Sequence, residues 1–200
     1  MSIEAVRYWI AVLVLVSAPP AVLYWVAIHP FFAFWRRRGK ALTFTVAFTG
    51  YLAIGLVLFL AREPLLAVRG PWSPWLAVAG GALYLVAAAL EARTRRKLRW
   101  KVLVGVHEID PQTPGPGLLV DGIYARTRNP RYLTFMIGLF GFALMTNYLA
   151  IWVIALLAWP AMRLIVHWEE RELRDRFGAE YLEYCRRVPR FVPRFGRPAG

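Results

Sequence analysis

Four long stretches without a charged residue dominate this sequence and restrict what it can fold into. They are residues 8–35, 41–61, 71–90 and 132–162. Because about 20 apolar residues cross the hydrocarbon core of a bilayer as an α-helix, each of the first three stretches predicts one transmembrane helix. Apolar residues make up 58% of the chain, which indicates an integral membrane protein rather than a soluble domain.

The fourth stretch is too long for one such helix and too short for two of full length. Thr146 and Asn147 offer a turn within it, so we predict two short helices over residues 131–145 and 148–167. The expected fold is all-α: a polytopic membrane protein with five transmembrane helices, of which the last two form a short helical hairpin. Pro19 and Pro20 lie in the middle of the first predicted helix and favour a kink or break there.

The positive charges are distributed unevenly along the chain. With five spans, 22 of the 25 Lys and Arg residues fall on one side, and only Arg7, Arg62 and Arg69 fall on the other. The positive-inside rule then predicts a multi-pass cell-membrane protein whose N-terminus is outside and whose C-terminus is cytoplasmic. The basic run at residues 93–101 follows a predicted span, so anionic lipid headgroups are its expected partners, and no nucleic acid is expected.

The chain divides into two predicted parts. Residues 1–92 hold three transmembrane helices, and residues 93–200 hold a cytoplasmic loop, the hairpin and a C-terminal amphipathic helix. The amphipathic helix is indicated by an apolar stripe at helical spacing, for which we favour packing inside the protein. Gly178 interrupts the stripe and is expected to bend the helix. The stripe consists of Leu173, Phe177, Tyr181 and Tyr184.

Charged side chains cluster at both ends of the predicted hairpin. Arginines alone at a helix end usually anchor it at the interface, but a hairpin brings its two ends together. Arginines before the first helix would then face carboxylates after the second, with Tyr124 and Tyr132 as aromatic walls. This arrangement suits a zwitterionic, positively charged ligand. The charged residues are Arg126, Arg128 and Arg131 on one side, and Arg163, His167, Glu169, Glu170 and Arg171 on the other.

The order of short motifs in this half resembles the isoprenylcysteine carboxyl methyltransferase family of integral membrane enzymes, which is related to phospholipid methyltransferases. The resemblance covers about 85 residues and rests on several signatures in order. They are Gly122 and Tyr124; Arg128, Asn129, Pro130 and Tyr132; Glu169 and Glu170; Phe177, Gly178, Tyr181 and Tyr184; Val188 and Pro189.

The resemblance implies S-adenosylmethionine as cofactor, and the distribution of positive charge predicts that the active site is cytoplasmic. The resemblance also implies which residues bind the cofactor. Asn129 stands where the family usually has His and cannot carry a proton there, and Thr134 adds bulk where a Gly is common. The implied cofactor residues are Leu118, Leu119, Tyr124, Arg128, Asn129, Pro130, Arg131, Tyr132, Glu169 and Glu170.

The expected acceptor is a lipidic small molecule or a lipid-modified protein that enters from the bilayer and carries a carboxylate. A carboxylate is already ionised, so the protein only has to desolvate and position it. An amine acceptor would need a base, for which His167 or a glutamate is the choice. Arg163 is the residue expected to steer an anionic acceptor.

Three other functions stay open from the sequence. The chain could be a phospholipid or other amine N-methyltransferase, an NADPH-dependent sterol or polyprenyl reductase, or a small transporter. No spacing typical of metal ligands is present, so we predict no metal site. Cys185 is the one cysteine and is expected to fill space.

Overall fold

The computed structural model describes residues 2–96 and 117–193, and the chain is all-helical within these ranges. We number the described α-helices in chain order; a short 3-10 helix, Gly122–Ala125, precedes α6. The α-helices are α1 (Ile3–Ile28), α2 (Phe32–Arg38), α3 (Lys40–Leu60), α4 (Arg62–Leu65), α5 (Pro74–Arg95), α6 (Pro130–Thr146), α7 (Leu149–Phe177) and α8 (Ala179–Arg187).

Four of these helices are long and apolar enough to cross a membrane: α1, α3, α5 and α7. This confirms the predicted all-α polytopic architecture in its coarse form. Helix α6 has 17 residues and is not one of the four. The count of five spans and the hairpin therefore stay predictions, although only Asn147 and Tyr148 separate α6 from α7. Asn147 ends α6 in the left-handed conformation, with φ 50°, which Asn tolerates better than most residues.

The first predicted helix is divided, but not at its proline pair. Helix α1 runs through Pro19 and Pro20 and ends at Ile28, and α2 begins at Phe32. Of the predicted kink or break, a break at the prolines is therefore wrong, and a kink stays a prediction. Helix α3 packs closely beside this segment, because the Tyr51 hydroxyl donates to the Ser17 carbonyl oxygen at 3.2 Å. Support from a neighbouring helix is what lets a transmembrane helix retain proline.

One apolar core joins the N-terminal and C-terminal parts of the chain. Helix α1 contributes buried Ala11, Val14 and Leu15, and it packs against residues of α6 and α7. Helix α3 is peripheral, since Thr43 is its one buried residue. Helices α5 and α6 make the closest approach: a Cβ built on Gly141 would lie 2.8 Å from the Gly80 carbonyl oxygen. The shared partners in the core are Leu139, Ala143, Ile151, Ala155 and Ala158.

The predicted C-terminal stripe is divided between two helices. Helix α7 extends ten residues beyond its predicted end and includes Leu173 and Phe177. Gly178 then ends α7 with φ 55° and ψ −125°, a conformation that glycine reaches readily, and α8 follows. Tyr181 and Tyr184 are buried in one cluster with Leu173, Phe177, Leu118, Cys185 and Val188. The stripe therefore packs inside the protein, as we favoured. Most of the loop before residue 117 lies outside the described residues.

Candidate active site

Glu170 is the centre of a buried charge cluster near the C-terminal end of α7. Its side chain is 3% exposed. Oε1 accepts hydrogen bonds from Arg128 Nε and Asn129 Nδ2, both at 3.0 Å, and Oε2 accepts from Arg190 Nε at 3.0 Å and Nη2 at 2.6 Å. A buried carboxylate is stable only when it is paired and hydrogen-bonded in this way. The residues before α6 and the end of α7 therefore meet.

The same cluster fixes the segment that follows α8. Arg128 Nη1 donates to the carbonyl oxygens of Cys185 at 3.0 Å and Val188 at 2.7 Å. The Arg128 amide donates to the Pro189 carbonyl oxygen at 3.0 Å, and Asn129 Nδ2 donates to that of Arg190 at 3.1 Å. Both amide protons of Asn129 are thus used to join Glu170 to this segment. Arg190 was not among the residues predicted for the site, although it directly follows the Val188 and Pro189 motif.

Tyr124 lies between the Glu170 cluster and α5. The Tyr184 hydroxyl donates to its carbonyl oxygen at 2.7 Å, which ties the 3-10 helix to α8. Burial raises the pKa of the Tyr124 hydroxyl, the Arg131 charge lowers it, and the carboxylates of Glu169 and Glu91 raise it further. Tyr124 therefore lies within electrostatic reach of two carboxylates and one guanidinium.

Glu169 differs sharply from its neighbour Glu170. Its Oε2 atom is buried and accepts no hydrogen bond from the described residues. A buried acceptor without a donor costs about 1–3 kcal/mol, and more when it is charged. Such an oxygen suits a ligand that brings N–H or O–H groups. Among the other predicted cofactor residues, Leu118 and Leu119 are half-buried and Pro130 is the buried first residue of α6.

A cavity of about 680 Å³ adjoins this region and is lined mainly by α1, α5 and α6. Its lining residues recur every three or four positions over residues 14–25, 84–95 and 131–142, so each helix turns one face toward it. Most of the lining is apolar, with small residues such as Ala18, Ala88 and Gly138. A volume of this size is typical of ligand sites.

One end of the cavity is charged. Glu91 Oε1 accepts from Arg95 Nε and Oε2 accepts from Thr134 Oγ1, both at 2.9 Å. The Arg131 guanidinium carbon lies 5.5 Å from the centre of the Trp25 ring, within cation–π range. Arg131 and Tyr132 line the cavity and also belong to the predicted cofactor residues. Glu91 and Trp25 were not among the residues predicted for the site. Glu91 could have been identified from the sequence, because it is a single carboxylate at the end of an apolar helix.

Arg163 and His167 are predicted site residues that do not line the cavity, and their catalytic role stays a prediction. Both are exposed on α7 and neither lines the cavity. Met162 lines the cavity, and Glu169 follows it by seven residues, about two turns, on the same face of the helix. Arg163 and His167 lie on the outward side. Within the described residues, no group of three or more His, Cys, Asp or Glu side chains is arranged to hold a metal ion.

Comparison with known proteins adds a family and several partial relatives. Residues 75–180, more than half of the chain, match the family model described as phospholipid methyltransferase. The cobalt-zinc-cadmium resistance protein CzcN of Cupriavidus metallidurans is 36% identical over 78 residues, which cover 38% of this chain and 36% of that protein.

Two further relatives are named as isoprenylcysteine methyltransferases. Protein-S-isoprenylcysteine O-methyltransferase B of Arabidopsis thaliana is 34% identical over 77 residues, covering 38% of this chain and 39% of that protein. Protein-S-isoprenylcysteine O-methyltransferase of Schizosaccharomyces pombe is 34% identical over 77 residues, covering 38% and 33%.

The matches thus span between a third and two fifths of these relatives' lengths. No solved structure matches the chain. The family match and the two methyltransferase relatives confirm the resemblance that the motifs indicated, and the chain belongs to the phospholipid methyltransferase family.

Proposed function

We propose that this protein is an integral membrane methyltransferase that moves a methyl group from S-adenosylmethionine to an acceptor with a long apolar tail. The observation that carries the proposal is the junction of two environments. Glu91 and Arg131 line the charged end of an apolar cavity, and both interact electrostatically with Tyr124. Glu169 also interacts with Tyr124, and its buried Oε2 atom has no hydrogen-bond donor among the described residues. A water-soluble donor and a lipidic acceptor would meet at such a junction.

The residues present fit the cofactor. Glu169 would accept hydrogen bonds from an ammonium or ribose hydroxyl group, which removes the cost of its buried oxygen. Tyr124, Arg131 and Tyr132 would form the wall next to the cavity, and Leu118 and Leu119 the apolar side. S-adenosylmethionine supplies an electrophilic methyl group on a sulfonium.

We assign a positioning role to Arg128, Asn129, Pro130 and Glu170. Both oxygens of Glu170 and the side-chain donors of Asn129 are already used within the protein. These residues would hold Arg131 and Tyr132 at the start of α6 and Glu169 on α7 in fixed relation. We assign no catalytic role to Arg163 or His167, because both are exposed and neither lines the cavity.

For a carboxylate acceptor, the protein needs no base. The apolar lining of the cavity would exclude water from the head group, and Arg131 would hold it in place for in-line attack. The carboxylate assignment follows the motif resemblance and the similarity to two relatives named as protein-S-isoprenylcysteine O-methyltransferases.

An amine acceptor is the second candidate, and Glu91 favours it. Its side chain is 25% exposed at the charged end of the cavity. A carboxylate there would attract an ammonium head group or take its proton, and it would repel another carboxylate. The description of the matching family as phospholipid methyltransferase agrees with this alternative.

Radiolabelled methyl transfer distinguishes these acceptors. The detergent-purified protein is incubated with S-adenosylmethionine labelled in the methyl group and either an N-acetyl-S-farnesylcysteine or phosphatidylethanolamine. Base-labile radiolabel in the farnesylcysteine compound indicates that a methyl ester has formed. Base-stable radiolabel in phosphatidylethanolamine indicates N-methylation. If neither acceptor nor any component of a total lipid extract becomes labelled, the proposal is contradicted. Heat on titration with NADPH but not with S-adenosylhomocysteine would instead indicate a reductase.

We also propose that α6 crosses the membrane as the fifth span, with the N-terminus outside and the site facing the cytoplasm. The support is the uneven distribution of basic residues. A cysteine placed at Ser2 in a Cys185→Ser background should react with a membrane-impermeant thiol reagent in intact cells. A cysteine placed at Glu183 should react only after the cells are opened, and the reverse pattern contradicts this topology.

A further inference from the structure

The cavity has two unlike ends, and the end remote from the charges is formed by aromatic rings. Tyr84 of α5 and Phe142 of α6 line it, with ring centroids 4.9 Å apart. We propose that this ring pair limits the length of the apolar tail that an acceptor can carry. This inference rests on the proposed function, and it concerns tail length rather than the head group.

The length of the cavity is the same along each of the three helices that form most of its wall. The lining runs from position 14 to 25 on α1, from 84 to 95 on α5 and from 131 to 142 on α6. Each interval corresponds to about 16 Å at 1.5 Å per residue. This is about half of a 30 Å hydrocarbon core, the depth of one leaflet. A tail of one leaflet's length would fill the cavity when its head group lies at Glu91 and Arg131.

Beyond the ring pair, α5 and α6 leave no space for a chain. A Cβ built on Gly141 would lie 2.8 Å from the Gly80 carbonyl oxygen and 3.1 Å from the Tyr84 amide nitrogen. Backbones this close are typical of glycine contacts between membrane helices. On the near side of the rings, Ala87, Ala88 and Gly138 replace bulky side chains and provide the width of the cavity. The change from small to aromatic residues therefore defines where the tail stops.

Acceptors that differ only in tail length test this inference. The probes are S-octyl, S-dodecyl, S-hexadecyl and S-eicosyl N-acetylcysteine, together with the primary amines of the same chain lengths. With the wild-type protein, kcat/KM should rise with tail length and then fall once the tail reaches the rings. Tyr84→Ala should move the optimum to a longer tail, and Ala88→Phe should move it to a shorter one. For two probes of neighbouring tail length, we expect the ratio of their kcat/KM values to differ by roughly tenfold between each variant and the wild-type protein.

The fold should tolerate the main variants. Tyr84 is 42% exposed, so its truncation removes little buried packing, and Phe142→Leu provides a second variant with the same expected direction. Leu85→Ala is the matched control, because Leu85 follows Tyr84, is 69% exposed and does not line the cavity. Its optimum should equal that of the wild type.

The possible failures are distinguishable. An unchanged optimum in Tyr84→Ala, Phe142→Leu and Ala88→Phe, with methylation retained, contradicts the role of the ring pair alone. No methylation of any probe, although S-adenosylhomocysteine still binds, contradicts the proposed acceptor class and the ring-pair inference with it.

Discussion

Arginine side chains join separate segments at each end of the helical bundle, and the two ends use them differently. At the first end, Arg7 is 4% exposed. It donates to the carbonyl oxygens of Thr146 at 2.9 Å and Gly70 at 3.0 Å, and to Glu4 at 2.6 Å. At the second end, Arg128 and Arg190 both bind the buried carboxylate of Glu170.

The difference lies in what remains unsatisfied. The Arg7 end joins α1 to the turn between α6 and α7, and the partner Glu4 is half-exposed to solvent. At the Glu170 end, the adjacent Glu169 keeps a buried oxygen without a donor among the described residues. At the first end, Arg62 Nε is also buried without a hydrogen-bond acceptor, but Glu63 Oε1 lies 3.6 Å from it. Buried polar atoms are normally satisfied, so a carboxylate oxygen without a donor near the charged end of a cavity indicates a binding role. We infer that the first end is structural and that the second end combines structure with a site.

The largest expected effect is at Glu170. Glu170→Gln leaves Arg128 and Arg190 without their buried countercharge, and removing one partner of a buried ion pair costs about 3–5 kcal/mol. We expect a markedly lower unfolding temperature in detergent and loss of affinity for S-adenosylhomocysteine. Glu183→Gln is the control, since that side chain is 53% exposed. A Glu170→Gln protein as stable as this control would contradict the structural role of the cluster.

Arg7→Ala should separate stability from binding. The substitution removes the guanidinium that donates to the Thr146 and Gly70 carbonyl oxygens. Leaving a buried acceptor without its donor lowers the free energy of unfolding by about 1–3 kcal/mol. The unfolding temperature should fall, while the affinity of the folded protein for S-adenosylhomocysteine should match the wild type. A large loss of affinity at temperatures where the variant is folded would show that the two ends are coupled.

Leu173→Ala should be milder, because Leu173 is only partly buried against Tyr181 and Tyr184. Loss of a partly buried leucine should cost about 2 kcal/mol, at the lower limit for core truncations. Thermal unfolding should show this decrease, whereas Glu183→Ala should leave the unfolding temperature nearly unchanged. Equal effects of the two substitutions would contradict the packing of the stripe inside the protein.

The smallest expected effect is that of Tyr184→Phe. It removes the hydrogen bond to the Tyr124 carbonyl oxygen and keeps the ring, at a cost of about 1 kcal/mol. Affinity for S-adenosylhomocysteine should fall by less than it does for Glu170→Gln. An unchanged unfolding temperature and affinity would mean that α8 does not hold the 3-10 helix in place.

The sequence predicted the long apolar helices because apolar length is a local property of the chain, whereas the cofactor-binding role of the motif residues stays a prediction. The meeting of Arg128 with Glu170 followed from the short connection between α6 and α7. The helix continues through Pro19 and Pro20 without the break that was one of the two predicted outcomes, because tertiary support from α3 cannot be inferred from the local sequence. Arg190 and Trp25 were missed for the same reason, since distant segments bring them to Glu170 and Arg131.

The central claim is that Glu169 binds the cofactor through its buried Oε2 atom, which has no hydrogen-bond donor among the described residues. Calorimetric titration with S-adenosylhomocysteine tests this claim most directly. The wild-type protein should release heat with saturable binding, and NADPH should give none. Glu169→Gln should lower the affinity by at least about tenfold, the equivalent of one charge-assisted hydrogen bond, without lowering the unfolding temperature of the free protein. Equal affinity of Glu169→Gln and wild type would contradict the account.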